Sequence, residues 1–128
     1  MDNKSKLIVI IDDDEDLVKL LTTAFQSKGY STQAFLKGQE GLNYLNVPTN
    51  IEKTSLIILD RMLPDMDGLD ILHQLKNNPA FKIPVLILSV LSSEKDIVSG
   101  LKTGAIDYVP KPFSLPILLQ KAFTMMAG

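Results

Sequence analysis

The chain has 128 residues, a length that suits one domain with a full hydrophobic core and is too short for two. Its 45% hydrophobic and 22% charged residues are typical of an ordinary globular protein, so we expect a single domain over residues 1–128. The formal net charge of -2 argues against direct nucleic-acid binding, and the lack of cysteine excludes disulfides, thiolate metal sites and thiol nucleophiles.

The first predicted element is a strand at residues 7–11, where the run LIVII is apolar and mostly β-branched. A near-continuous run of this kind suits a strand that is buried on both faces, as in a parallel sheet. Five residues are too few for a signal peptide or a membrane span. We therefore expect a cytoplasmic protein that does not contact a membrane.

A block of acids at residues 12–16 follows this strand. Asp14, Glu15 and Asp16 are typical of a helix N-terminus, where acids cap N–H groups and complement the helix dipole. Asp12 and Asp13 directly end the strand and would lie in the crevice of the sheet. Carboxylates held close together repel one another unless a cation neutralises them, so these two favour a metal site.

Later segments repeat the alternation of strands and helices. Apolar or β-branched runs predict four more strands, at residues 30–35, 55–59, 84–89 and 105–109. The alternating pattern of the first of these favours an edge strand. One-sided apolar spacing predicts helices around residues 17–25, 42–45, 71–75, 97–101 and 115–123. Residues 46–54 are predicted to form a surface loop.

This order of elements predicts an α/β fold, with a five-stranded parallel sheet, helices on both faces and a doubly wound connection. In such sheets the ligand site lies beyond the carboxyl ends of the strands. The residues that follow each strand are therefore the candidates for a functional site.

Three further polar residues lie at or just after the ends of predicted strands: Asp60, Ser89 and Lys111, the last between two prolines. With Asp12 and Asp13 they would share one pocket, whose oxygen ligands favour a hard ion such as Mg²⁺. Each also has a plainer interpretation: Asp60 could be a strand-end cap, Ser89 a buried hydroxyl bonded to the backbone, and Lys111 an exposed loop lysine. Their combination at several strand ends favours the site.

Four motifs together carry a family resemblance: IIDDDED, LIILDRMLPDMDG, LILSV and GAIDYVPKPF, in this order and spacing. They resemble the receiver domain of two-component response regulators, over about residues 6–123. The resemblance implies a flavodoxin-like (β/α)5 fold with strand order 2-1-3-4-5. It also implies a phosphoprotein that catalyses only its own phosphotransfer and slow autodephosphorylation, rather than an enzyme.

The resemblance assigns the chemistry residue by residue. Asp60 would accept the phosphoryl group and contact Mg²⁺, for which Mn²⁺ could substitute. Asp13 would be a direct ligand of the ion, Asp12 would support it, and the backbone carbonyl of Met62 would complete the protein ligands. Lys111 would contact the phosphoryl oxygens. The phosphoryl donor would be a sensor histidine kinase or a phosphotransfer protein.

The resemblance also implies a switch. Ser89 matches the hydroxyl that moves to bind the phosphoryl group, and Tyr108 matches the aromatic residue that changes orientation with it. The output surface would be formed by the last two β/α units, which would control an output domain or partner and could support a homodimer. The Lys111–Pro112 peptide bond is expected to be cis.

Three positions qualify this expectation. Val90 stands where the family usually has a small Ala or Gly, which would narrow the access to Asp60 and slow phosphotransfer. Met62 and Leu91 occupy the two positions that shape hydrolysis in the family. Because neither side chain can orient an attacking water, we expect a long-lived phosphoryl group.

Two alternatives use the same residues. A haloacid-dehalogenase-like phosphatase would need a second Asp two residues after its nucleophile, where this chain has Met62, and a cap domain. A receiver-like binding module that is never phosphorylated would not need the intact set of Asp13, Asp60, Ser89 and Lys111, although Val90 leaves room for it.

Overall fold

The computed structural model describes residues 6–128, which form five strands and six helices. The strands are β1 (Leu7–Ile11), β2 (Ser31–Phe35), β3 (Thr54–Leu59), β4 (Val85–Ser89) and β5 (Asp107–Pro110). The helices are α1 (Glu15–Ser27), α2 (Gly38–Leu45), α3 (Pro48–Lys53), α4 (Gly68–Lys76), α5 (Glu94–Thr103) and α6 (Leu115–Ala127). Over residues 6–128, no helix is long and apolar enough to cross a membrane.

The strands form one parallel sheet in the order β2-β1-β3-β4-β5. This confirms the predicted strand order, and β2 lies at an edge as its alternating sequence indicated. Because β1 and β3 are neighbours, Ile11 pairs with Leu59, and the residues after these two strands lie side by side.

The two faces of the sheet are covered by different helices, as predicted. Alternate residues of each strand point to opposite faces, so β1 contributes to two separate cores. One core joins Ile8 and Ile10 to side chains of α1 and α6, including Leu21, Phe25 and Leu118. The other joins Val9 and Ile11 to α2 and α4, including Leu45, Ile71 and Leu72.

The helix α1 begins as its acids predicted. Asp14 is the N-cap, and its Oδ1 accepts a hydrogen bond from the backbone N–H of Leu17 at 3.2 Å. Glu15 and Asp16 lie exposed in the first turn. The cap fixes where the helix starts and leaves Asp12 and Asp13 between β1 and α1.

The prediction of a surface loop at residues 46–54 is wrong, because Pro48–Lys53 form the short helix α3. Pro48 lies in the first turn, where its fixed φ suits a helix and its missing N–H is not needed. Asn50 Nδ2 donates to the carbonyl of Tyr44 at 2.9 Å, and Thr54 Oγ1 donates to the carbonyl of Asn50 at 2.8 Å. The helix buries none of its residues, so it leaves no apolar periodicity in the sequence.

The last strand begins at Asp107, two residues later than predicted. Gly104 ends α5 with a φ of 126°, and the N–H of Ala105 still donates to the carbonyl of Gly100 at 3.2 Å. Ala105 is buried and extends the apolar run, although it belongs to the helix end and not to the strand. An apolar run alone does not distinguish these two environments.

Candidate functional site

The predicted site residues lie at the carboxyl ends of neighbouring strands. Backbone hydrogen bonds continue the ladder past the strands: Asp12 N–H donates to Phe35 O at 3.1 Å, Asp60 N–H to Ile11 O at 2.9 Å, and Lys111 N–H to Ser89 O at 2.8 Å. These bonds hold the main chain of Asp12, Asp60 and Lys111, so the sheet itself sets the spacing of their side chains.

Three carboxylates form a cluster at this edge. Asp12, Asp13 and Asp60 each offer an oxygen, and these oxygens all lie within 4.8 Å of one another. Asp12 is 1% exposed and Asp60 is 4% exposed, whereas Asp13 is exposed. The cluster has only oxygen donors, is partly open to solvent and contains no His or Cys, which fits a hard divalent cation.

Lys111 bridges two of these carboxylates. Its Nζ lies 2.9 Å from Asp12 Oδ2 and donates to Asp60 Oδ2 at 3.1 Å. The Lys111–Pro112 peptide bond is cis, which confirms the expectation from the sequence. The alternative of an exposed loop lysine is wrong, because the side chain is 15% exposed and engaged by both acids.

The charges of this cluster are not fully balanced. Burial raises the pKa of Asp12, and it outweighs the opposing hydrogen bonds from the N–H of Asp14 and from Lys111. Burial also works against the ammonium of Lys111, but its contacts with Asp12 and Asp60 prevail and raise the pKa of Lys111. The ammonium of Lys111 therefore does not offset the burial of Asp12, and a bound cation would stabilise the ionised form of Asp12.

The loop after Asp60 is tightly folded against the end of β3. Met62 N–H donates to Asp60 Oδ1 at 3.1 Å, and Met62 pairs with Asp67 in an isolated antiparallel bridge, while its side chain is 52% exposed. Gly68 packs directly on the main chain, since a Cβ there would lie 2.2 Å from the carbonyl oxygen of Asp60. The backbone beside the acid cluster is therefore fixed.

Ser89 and Tyr108 meet at the residue Leu91 and not at Asp60. The Ser89 hydroxyl is fully buried and accepts a hydrogen bond from Leu91 N–H at 3.2 Å. The Tyr108 hydroxyl donates to Leu91 O, and the residue is 6% exposed. The plainer interpretation of Ser89, a buried hydroxyl bonded to the backbone, agrees with this arrangement.

Val90 points outward beside the site, where it is 57% exposed. It lines a groove with Leu17, Leu20 and Leu115, and Lys111 contributes to the same groove. The bulk that distinguishes Val90 from a small residue therefore lies at the surface next to the lysine.

Two polar residues of this region were not recognised from the sequence. Asp65 lies in the loop after Asp60 but caps the first turn of α2. Its carboxylate accepts from the N–H groups of Gly38 at 2.8 Å and Gln39 at 2.9 Å, which lower its pKa. Arg61, directly after Asp60, reaches α5: its Nη1 donates to Asp96 O at 3.0 Å. No local pattern marks either contact, since the partners are more than 20 residues away.

The sequence matches known proteins over most of its length. Residues 8–123 match the family described as response regulator receiver domain. The chain is 39% identical over 110 residues to the regulatory protein VanRc of Enterococcus gallinarum. It is 38% identical over 110 residues to the alkaline phosphatase synthesis transcriptional regulatory protein PhoP of Bacillus subtilis. Both alignments cover 86% of this chain but 45% and 44% of the relatives, so the chain spans about half the length of these curated relatives.

Solved structures are similar over the same region. The receiver domain of the Francisella response regulator 1452 has a TM-score of 0.85 at 30% identity, covering 94% of this chain and 96% of that chain. The response regulator DrrB of Thermotoga maritima, described as an OmpR/PhoB homolog, has a TM-score of 0.81 at 30% identity. That match covers 94% of this chain and 52% of the DrrB chain.

Proposed function

Because the chain belongs to the response regulator receiver domain family of two-component systems, we propose that it is a switch that accepts a phosphoryl group on Asp60. The observation that carries this proposal is the position of Lys111 Nζ, 2.9 Å from Asp12 and 3.1 Å from Asp60, beside the cluster of three acids. The arrangement combines a nucleophilic carboxylate with a fixed cation. It is not the site of a classical enzyme.

A divalent cation would complete the site. The carboxylates of Asp12, Asp13 and Asp60 and the backbone carbonyl of Met62 would hold it, and Mg²⁺ is the natural choice, with Mn²⁺ as a substitute. When bound, such an ion neutralises negative charge on the transferring phosphoryl oxygens.

The protein's own groups would then carry out the transfer. The carboxylate of Asp60 attacks phosphorus in line, the bond from phosphorus to the donor nitrogen of a phosphohistidine breaks, and an acyl phosphate forms on Asp60. Lys111 supports this step because its ammonium already lies against the carboxylate oxygen and needs little movement to contact the incoming phosphoryl oxygens. The donor would be a histidine kinase or a phosphotransfer protein.

The new group would alter the output surface. Phosphorylation raises the charge at Asp60 from one negative unit to about two and adds strong acceptor oxygens. The Ser89 hydroxyl, which accepts from Leu91 N–H, would turn to donate its proton to a phosphoryl oxygen, and Tyr108, which is bonded to Leu91 O, would change its orientation. The last two β/α units would thereby shift between two states. They would control an output domain or partner in the cytoplasm, or form the interface of a homodimer.

The experiment is to incubate the chain with a small phosphodonor and Mg²⁺ and to measure its intact mass. We expect the mass of one phosphoryl group to be added, and expect no addition after chelation of the metal or in Asp60→Asn. Asp65→Asn is the matched control, since it removes an acid from the same loop but not from the cluster, and it should still be modified. An unmodified wild type, or a modified Asp60→Asn, would refute the proposal.

A further inference from the structure

Arg61 is a largely buried cation next to the proposed acceptor. Its side chain is 10% exposed, although arginine is usually solvated. Its own carbonyl accepts a hydrogen bond from Gly68 N–H at 2.8 Å, so its main chain belongs to the fixed loop around Asp60. None of the chemistry proposed for Asp60 uses this guanidinium.

The guanidinium contacts the first turns of α5. Nη1 donates to Asp96 O at 3.0 Å and to Ser99 Oγ at 3.3 Å, and it lies 3.8 Å from Asp96 Oδ1. Ser99 Oγ in turn donates to the same Asp96 carbonyl at 2.9 Å. Arg61 therefore binds a small polar cluster on one side of this helix.

The same cluster defines where α5 begins. Ser93 and Asp96 form a capping box, in which Asp96 N–H donates to Ser93 Oγ at 3.1 Å and Ser93 N–H donates to Asp96 Oδ2 at 3.3 Å. Asp96 thus closes the helix start with its carboxylate and binds Arg61 with its carbonyl. The arginine connects the loop after Asp60 to the start of α5 by a direct side-chain contact.

The contact leaves the arginine little freedom to move alone. Arg61 Nε is buried and has no hydrogen-bond partner within residues 6–128, and its nearest carboxylate, that of Asp67, is 4.0 Å away. A shift of α5 away from the loop would remove both Nη1 hydrogen bonds and leave a buried charge poorly paired, which is unfavourable. The loop after Asp60 and the start of α5 are therefore expected to move together.

We propose that Arg61 is a positioning residue that transmits the state of Asp60 to helix α5, an inference that rests on the phosphorylation proposed above. Two connections then join the acceptor to this helix. One runs along the chain from Ser89 through Leu91, and the other runs through space from Arg61 to Asp96. The second connection depends on one side chain and can be removed without changing any group of the acid cluster.

The test measures the response of α5 separately from the loading of Asp60. Amide resonances are recorded for the whole chain with Mg²⁺, before and after addition of beryllofluoride as a stable phosphoryl mimic, and loading is measured as the intact mass after reaction with a phosphodonor. In the wild type we expect shifts both in the loop after Asp60 and over Glu94–Thr103. In Arg61→Met the shifts over α5 should fall to about half or less, while the loop shifts and the added mass persist.

Lys102→Met is the matched control, because it removes an exposed charge from α5 itself and should keep the wild-type response. Arg61→Lys retains the charge but not the planar set of guanidinium N–H donors, so it should also lose at least part of the α5 response. This variant replaces Arg61→Met if Arg61→Met does not fold. A full α5 response in a folded Arg61 variant would overturn the inference, as would loss of loading together with the response. A wild type that is never loaded would instead contradict the proposed function.

Discussion

Helices α4 and α5 each follow a strand that ends at the edge of the sheet where the acid cluster lies, but they are held in different ways. Helix α4 buries Ile71, Leu72 and Leu75 in the core between the sheet and α2. Helix α5 buries only Gly100, packs the partly buried Ile97 against the same core, and binds Arg61 of the loop after Asp60. Moving α4 would expose more apolar surface than moving α5, because α5 buries fewer apolar side chains, and Arg61 would have to follow α5 to keep its charge paired. We therefore expect α5 to be the helix that responds to a change at the site.

The largest change in the free energy of unfolding should come from a substitution in α4. Leu72→Ala removes a fully buried side chain and should lower the free energy of unfolding by about 2–5 kcal/mol. Val98→Ala on α5, where the side chain is 42% exposed, should cost no more than about 1 kcal/mol. Urea unfolding of both variants measures the difference. Equal losses would contradict the view that the two helices are anchored differently.

The next prediction tests how α5 accommodates Tyr108. A Cβ on Gly100 would lie 2.8 Å from the Tyr108 ring and 2.9 Å from Ile87 Cδ1, so Gly100→Ala should displace the ring and destabilise the protein by about 1–3 kcal/mol. The Tyr108 ring resonances and urea unfolding measure both effects.

The control for this prediction uses the same substitution without the ring. In a Tyr108→Ala background, Gly100→Ala should destabilise the protein less, because the ring no longer stands in its way and only the end of the flexible Ile87 side chain must shift, while alanine favours a helix over glycine by about 1 kcal/mol. Destabilisation of equal size in both backgrounds would show that the ring is not the cause.

A third prediction concerns the fixed loop before α4. Met62 is 52% exposed beside Asp60, while its backbone is held by the bridge to Asp67. Met62→Asn should accelerate hydrolysis of the phosphoryl group by about tenfold, because an amide can orient an attacking water, and it should leave the unfolding free energy unchanged.

The decay of the phosphorylated protein, followed by intact mass in Mg²⁺ without a phosphatase, measures this effect. Met62→Leu is the control and should decay as slowly as the wild type. Rapid decay of the wild type would contradict the expectation of a long-lived phosphoryl group.

The smallest effect should come from the contact between the same loop and α2. The N–H groups of Gln39 and Gly38 lower the pKa of Asp65, so its ionised form stabilises the folded state. A group with a lowered folded pKa contributes stability above its unfolded pKa and loses it as the pH falls. Asp65→Asn should therefore be less stable than the wild type at pH 7, and the difference should vanish well below the ordinary pKa of 3.8. Urea unfolding at both pH values measures it, and a difference that does not change with pH would exclude this contact as its source.

The sequence predicted most of the fold but not how α4 and α5 are held. The apolar runs predicted all five strands, and the parallel sheet followed from their alternation with helices. The helix α3 was missed because it buries nothing, and Ala105 was assigned to the strand because it is buried in a helix end. Both errors arise because hydrophobic patterns report burial and not conformation.

For the candidate site, the sequence identified the residues but not their contacts. Five site residues could be identified from the sequence because each lies at or just after the end of a strand, and parallel strands end at the same edge of a sheet. They are Asp12, Asp13, Asp60, Ser89 and Lys111. Their geometry could not be selected, since the hydroxyl of Ser89 bonds Leu91 and the ammonium of Lys111 lies between two acids only in the folded chain.

The sequence by itself determined the elements, the order in which they alternate and the residues at the strand ends, because each of these depends on neighbours in the chain. Only the tertiary structure decided that Arg61 binds α5 and that Asp65 caps α2. The physical reason is that these contacts join residues 26 to 38 positions apart, and the packing of the helices on the sheet sets their distance. The loop after Asp60 is thereby connected to α2, which buries Leu42 and Leu45 in the core, and to α5, which buries only Gly100.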